Sequence, residues 1–299
     1  MPQPCPAARY KIPHAFDSAA DLCRSPEVDA VFVATPNSSH LKDVLLAIES
    51  GKPVLCEKPM GMNAAECRQM VEAARRANLL LGVAQVFRFE QSTKCLRERV
   101  AAGQVGKPVF ARAEFSFLTH GHARKWINDA KVAGGGPVAD VGVHCVDALR
   151  FVLQDEVVCV SASAVSDQES GDVEAAAILS LQFARGTLAS VLVSSRAEYR
   201  TPIEIVGEPG VLRADDALNV EHPITIELRR GGRVVETETV SNRDAYARQV
   251  DAFSDAIEAK GEFPAPGEEG WQNQEILDAA YRSVKSGKTE EVPLVEKRV

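Results

Sequence analysis

The chain has 299 residues, 45% of them hydrophobic and 25% charged, with a formal net charge of −8. That length supports two domains with separate cores, and the composition is that of a soluble globular protein rather than a disordered one. The negative balance argues against a surface built for phosphate backbones or anionic lipid, so neither nucleic acid nor membrane is an expected partner.

No apolar run approaches the roughly 20 residues of a membrane span, and the opening MPQPCPAARYK lacks the apolar centre of a secretory signal, so a cytoplasmic location is expected. Seven scattered cysteines without a CxxC pair fit reduced, buried thiols better than a disulfide framework.

The first third alternates strand and helix. Residues 28–34 form a strand apolar nearly throughout, as in a parallel sheet covered on both faces. Leu41, Val44, Leu45 and Ile48 then repeat at helical spacing, with Gly51 placed for a left-handed cap. A second short strand covers 53–56. Asn63 and Glu66 resemble a capping box ahead of the helical stripe Cys67, Met70, Val71 and Ala74, and 79–87 is predicted as a third strand. Two such crossovers in succession predict a doubly wound, Rossmann-type sheet.

Beyond Arg88 the pattern changes. A helix near 93–102 precedes strands at 109–117, 157–165, 175–183 and 187–194, and a hairpin over 224–240 turns at Gly231 and Gly232. A helix at 137–153 interrupts the strands, and another comes after them with Tyr246, Val250, Phe253 and Ile257 on one stripe. The fold class expected is α/β, an incomplete doubly wound parallel-sheet domain (1–90) followed by an α+β domain with an open, largely antiparallel sheet (91–299).

Three signals stand at element ends: TPNSSH at 35–40, EKP at 57–59 and DVGVH at 140–144. Strand-to-helix corners are where open α/β sheets hold ligands. Asp140 and His144, spaced i and i+4, project from one helix face, so the carboxylate can orient the imidazole. The run GGG at 134–136 lets backbone approach something closely. Each signal alone has an ordinary structural explanation: a turn, a solvated lysine, a satisfied histidine.

In this order and spacing the segments VDAVFVATPNSSH, GKPVLCEKP, GGGPVADVGVHCVDALR, LQFARGTLAS, EIVGEPGVL and GEEGWQNQEILDAAYRSVKSGK resemble the glucose-fructose oxidoreductase and inositol dehydrogenase family, Gfo/Idh/MocA, over nearly the whole chain. The resemblance implies an NAD(P)-dependent oxidoreductase that moves a hydride between a nicotinamide and a hydroxyl or carbonyl of a sugar, polyol or related compound. It implies that Lys58, Asp140 and His144 are catalytic. Thr35, Pro36, Asn37, His40, Glu57, Lys58 and Trp126 would meet the cofactor, NAD or NADP, and Arg124 would join Lys58, Asp140 and His144 at the substrate. The residue types suit the chemistry, since an imidazole with a reference pKa near 6.5 takes a carbinol proton at neutral pH and a lysine stabilises the alkoxide.

That family opens with a strand, a GxGxxG turn, a helix and a second strand. Residues 7–17 resemble the family's segment just after that second strand, so a unit of roughly 30 residues or more is expected to be missing. In the order 3-2-1-4-5-6 the first two strands would lie between the third and fourth, which leaves 28–34 as an uncovered edge. A misplaced or truncated beginning is favoured over a covering partner chain or a cofactor-free remnant. A non-catalytic module binding a sugar or a protein is the alternative function. A metal cluster of His120, His122, Asp140 and His144 is a third reading, and no metal is assigned. An open sheet face favours a homodimer or homotetramer.

Overall fold

The computed structural model describes residues 6–119 and 125–296. Helices α1 (Pro6–Tyr10) and α2 (Ala19–Arg24) lead into strand β1 (Val31–Val33), helix α3 (His40–Glu49), strand β2 (Val54–Cys56), helix α4 (Ala64–Ala77) and strand β3 (Leu81–Val83). The three strands pair in parallel in the order β1-β2-β3.

Local chemistry explains the boundaries. Gly51 adopts φ +75° after α3, as its position predicts. Asn63 caps α4 by accepting from the Glu66 amide at 3.0 Å, and the Glu66 carboxylate reaches back to the Met62 amide at 3.0 Å. The third strand is shorter than expected. Its chain turns at Gln85, whose amide donates to the Val83 carbonyl at 2.8 Å, and continues as a 3-10 turn, Val86–Phe89.

The sequence-based order also needs correcting. Val31 lies directly opposite Val54, with no room for two strands between β1 and β2. The strands 28–34 and 53–56 are therefore direct neighbours, and β1 forms an edge of this three-stranded sheet among the described residues, as expected.

Helix α5 (Gln91–Ala101), strand β4 (Pro108–Leu118) and helix α6 (Ala130–Ala133) precede a π-helical turn, Val138–Gly142, that runs into α7 (Val143–Leu153). Strands β5 (Val157–Val165), β6 (Ala176–Phe183), β7 (Leu188–Ser194), β8 (Arg196–Arg200), β9 (Ile203–Gly207), β10 (Gly210–Ala214), β11 (Pro223–Arg230) and β12 (Arg233–Ser241) come next. Helices α8 (Ala245–Ile257) and α9 (Gly267–Ser286) and the short β13 (Glu290–Glu291) complete the described chain. The large sheet runs β12-β11-β10-β9-β4-β7-β6-β5-β13, with β8 also on β4. Every pairing is antiparallel except β4 with β7.

One face of this sheet buries Ala111, Ala113, Leu179, Leu181, Val191 and Ile205 in a core shared with α7 and α9. The other face exposes Phe110, Ile178 and Leu188. A second core surrounds the small sheet, and Phe253, Phe263 and Ala265 from the far end of the chain fill part of it. The predicted α8 stripe is only half buried: Phe253 is in that core, while Tyr246 and Val250 face solvent.

Buried charges tie the two cores together. The Arg88 guanidinium meets Asp147 at 2.6 Å and Glu269 at 2.8 Å; Arg150 meets the same Glu269 oxygen at 2.8 Å and Glu156 at 2.6 Å. Asn273 donates to Asp147 at 2.8 Å. Helix α7 is thereby fixed to α9 and to the segment leaving β3.

Candidate functional site

The carboxyl ends of β1, β2 and β3 open toward the amino-terminal end of α7, and all three sequence signals meet there. Thr35 and Pro36 are exposed at the first corner. Asn37 behind them is buried, and its amide donates to the Ala133 carbonyl at 2.7 Å, tying the corner to the end of the short helix ahead of the glycine run. Thr35 donates its hydroxyl to Asp43 at 2.8 Å.

His40 does not reach the crevice. Its side chain is fully buried, with Nδ1 3.0 Å from the Pro59 carbonyl and Nε2 2.8 Å from the Thr35 carbonyl. The two nitrogens lie within hydrogen-bonding distance of one carbonyl from each corner, with the ring N–H donating to one of them, so the buried ring buttresses the TPN and EKP corners from behind.

Lys58 crosses from the first core to the second. Its Nζ donates to Asp140 Oδ1 at 3.0 Å and to the Asp140 backbone carbonyl at 2.7 Å, and both side chains are largely buried. Glu57, half-buried beside it, accepts from the Lys58 amide at 3.1 Å. Asp140 lies in the π-helical turn, a distortion frequent at functional sites.

His144 stands on the first turn of α7, 7% exposed, with its ring 4.5 Å from Phe87 and 6.2 Å from Phe115 between centroids. The Asp140–His144 hydrogen bond suggested by the i, i+4 spacing is not formed. Asp140 Oδ1 is taken by Lys58, and His144 Nδ1 is buried without a hydrogen-bond partner among the described residues. Burial and then the Lys58 charge hold the imidazole pKa well below 6.5, with Asp140 opposing them. The ring is therefore neutral at pH 7 and able to accept a proton. Lys58 grips Asp140, which lies one turn before His144, so the three side chains stand at one end of α7.

The glycine run packs against protein. A Cβ on Gly135 would sit 1.8 Å from the Tyr281 hydroxyl and one on Gly136 2.2 Å from the Glu174 carbonyl. Glu174 accepts from the Gly136 amide at 3.0 Å, the Val138 amide at 2.9 Å and the Tyr281 hydroxyl at 3.1 Å. It thus caps the turn that carries Asp140. Sequence reasoning missed Glu174, which has no motif, and the aromatic neighbours of His144, whose contacts span long stretches of chain. Trp126 is half-buried on a 3-10 turn, Lys125–Asn128. Arg124, His120 and His122 lie outside the described residues. Among the described residues no group of three or more His, Cys, Asp or Glu side chains could hold a metal.

Two family models match the chain: "Oxidoreductase family, NAD-binding Rossmann fold" over residues 3–85 and "GFO/IDH/MocA C-terminal domain" over residues 93–213. The chain is 32% identical over 290 residues to 1,5-anhydro-D-fructose reductase of Ensifer adhaerens, covering 96% of this chain and 86% of that protein. It is 31% identical over 295 residues to myo-inositol 2-dehydrogenase of Thermotoga maritima, covering 95% and 84%. Among solved structures, aldose-aldose oxidoreductase from Caulobacter crescentus complexed with glycerol superposes with a TM-score of 0.87 at 25% identity, covering 96% of this chain and 87% of that one.

Proposed function

Since the chain belongs to the Gfo/Idh/MocA oxidoreductase family, we propose that it transfers a hydride between NAD or NADP and a hydroxyl or carbonyl of a sugar, polyol or related small molecule, with Lys58, Asp140 and His144 as its acid-base centre. The observation that carries this assignment is the bond between Lys58 Nζ and Asp140 across the two cores, beside a histidine kept neutral by burial.

In the oxidation direction His144 takes the carbinol proton. With Nδ1 buried and unpartnered, Nε2 is the nitrogen assigned to that exchange. Lys58 donates to the oxygen as it becomes an alkoxide, and Asp140 holds the lysine in place. The residues present fit a nicotinamide at the three strand ends: Thr35 and Pro36 are exposed there, and Gln85 at the end of β3 has both side-chain amide atoms buried without partners among the described residues. Thr35, Pro36, Glu57 and Trp126 would hold it, while Asn37 and His40 support them from beneath. When bound, it supplies the hydride acceptor or donor.

We divide the chain near residue 90 and place the protein in the cytoplasm, in keeping with six described cysteines that are all free. A homodimer or homotetramer would cover the apolar open face of the sheet at Phe110, Ile178 and Leu188. The test is a fluorescence titration with NADH and NADPH, followed by assay of NADH formation on a panel of cyclic and acyclic polyols. Saturable binding, with turnover abolished in His144→Gln, supports the reading. The absence of any fluorescence change overturns it in favour of a non-catalytic module.

A further inference from the structure

The π-helical turn that leads into α7 has no cap of its own. Pro137 stands at the cap position, carries no amide hydrogen and makes no side-chain hydrogen bond. The amides on either side of it, Gly136 at 3.0 Å and Val138 at 2.9 Å, both donate to the carboxylate of Glu174, which stands two residues ahead of β6 and is 8% exposed. Tyr281 on α9 donates its hydroxyl to the same carboxylate at 3.1 Å. A Cβ on Gly136 would lie 3.0 Å from the Glu174 Cδ, so the glycine is what lets that carboxylate in.

The bond that makes the turn π-helical is anchored at the same place. The Val143 amide donates to the Val138 carbonyl, five residues back, and the Val138 amide is one of the two that Glu174 holds. Asp140 lies inside that loop, where Lys58 takes its carbonyl at 2.7 Å and its Oδ1 at 3.0 Å. Beyond the loop Val143, Cys145, Val146 and Leu149 are packed in the large core, so α7 is not free to turn in compensation. One residue of helical register corresponds to about 100° of rotation. If the turn relaxed from π to α register, Asp140 would swing by about that angle relative to His144, and its carbonyl and carboxylate would no longer both face Lys58.

We infer that Glu174 is a positioning residue: it clamps the amino-terminal side of the π-helical turn so that Asp140 presents its carbonyl and carboxylate together to Lys58, and Tyr281 orients the clamp. Capping alone does not account for the arrangement. A single acceptor would satisfy the Val138 amide, whereas a carboxylate held by two amides two residues apart fixes both the place and the direction of the turn. Glu174 acts only through the turn. The inference rests on the oxidoreductase reading for the reaction that Lys58 and Asp140 serve, but the grip of Lys58 on Asp140 can be measured without turnover.

The test is competitive labelling of the full chain with acetic anhydride, read by mass spectrometry as acetylation of Lys58 relative to the exposed Lys285, together with kinetics on the polyol panel. Glu174→Ala should raise Lys58 labelling about tenfold, the loss of one charge-assisted hydrogen bond at its amine. Glu174→Gln keeps one oxygen acceptor and should fall between Glu174→Ala and wild type. In Glu174→Ala the kcat should drop about a hundredfold while KM and NADH affinity stay within about threefold of wild type, because a misplaced acid-base centre slows chemistry without loosening binding. Glu174→Ala combined with Lys58→Met should be no slower than Lys58→Met alone, since the carboxylate acts through that lysine. A merely structural role would lower the melting temperature, leave the labelling ratio untouched and make the two losses multiply. Should Glu174→Ala not fold, the labelling of Glu174→Gln decides. The inference is overturned if Lys58 is labelled in the Glu174 variants as in wild type, or if the double variant is slower by the product of the two single losses. Unchanged labelling beside normal turnover would sink the clamp and leave the oxidoreductase reading standing. Raised labelling, partly restored in Glu174→Gln, in a chain without any NADH or NADPH fluorescence change would do the reverse.

Discussion

Replacing Arg88 with methionine tests what holds the two cores in register. The guanidinium is buried. Burial alone would lower its pKa, but the Asp147 and Glu269 carboxylates outweigh that and hold it above its ordinary value. Methionine keeps much of the volume and removes the charge. Asp147, Glu269 and the partly exposed Glu156 are then left around one cation, Arg150. Breaking a buried pair by removing one partner costs about 3–5 kcal/mol, because the other charge stays desolvated. At this chain length one kcal/mol corresponds to about 2 °C, so thermal unfolding followed by circular dichroism should show a fall of about 6–10 °C. Arg88→Lys, which keeps the charge but loses the forked geometry, should lie between. The decisive comparison is the double variant Arg88→Met with Asp147→Leu. If an uncompensated charge causes the loss, removing the second member restores part of it, and the double variant melts above Arg88→Met alone. A single variant within about 2 °C of wild type, or a double variant destabilised by the sum of both changes, would refute the reasoning.

Two further predictions concern titration. Because burial and Lys58 keep the His144 pKa well below 6.5, the oxidation rate should stay flat as pH falls through 6.5 and decline only below it. Lys58→Met should shift that acid limb upward and lower kcat by about a hundred- to a thousandfold; a wild-type limb centred at or above 6.5 would contradict this. The same shift sets the sign for stability, since the unfolded ring binds a proton before the folded one. Stability is lost as pH drops from 6.5 toward the folded value, by at most about 1.4 kcal/mol per pH unit from this group. Glu90 is the opposite case. It is fully buried, its carboxylate oxygens have no partner among the described residues, and burial raises its pKa to about 10. Its penalty is absent below the unfolded value near 4.5 and grows as pH rises above it, so Glu90→Gln should stabilise the protein by about 1–3 kcal/mol at pH 8 and by nothing at pH 4.5. Equal melting shifts at both pH values would rule this out.

The elements legible in the sequence are those set by local periodicity. The parallel strands, the capping box, the hairpin at Gly231 and the long helix over 137–153 are written in spacings of two or three to four residues, and each is present. The three signals at element ends are legible because polar residues stand out where a strand or helix begins or stops, against the apolar run of the scaffold. Local rules could not supply the pairings that cross long stretches of chain. The neighbour relation of β1 and β2, the strands at 196–207 that pair with β4, and the π-helical turn at Asp140 all depend on partners far away in sequence. The α8 stripe misled for the same reason, since helical spacing shows that Tyr246 and Phe253 share a face but not where the neighbouring core ends. Arg88 marked only a change of texture in the sequence, yet in three dimensions it is the cation between two helices.

That position also bears on the chemistry. Phe87 supports the His144 ring, and Arg88, the next residue, binds Asp147 one turn further along α7. A single dipeptide leaving β3 therefore touches the His144 imidazole and anchors the helix that carries it. Lys58, two residues past β2, grips the carbonyl and carboxylate of Asp140 at the head of that helix. With its π-helical start held by one core and its second turn locked by a buried guanidinium, α7 has little freedom to rotate. With Nδ1 of His144 unpartnered among the described residues, the helix beneath the imidazole and the rings around it fix its direction, as the proposed proton transfer requires. Arg88→Met should consequently lower turnover even at temperatures where the variant remains folded, and a variant with full activity well below its melting transition would show that the helix is positioned by packing alone.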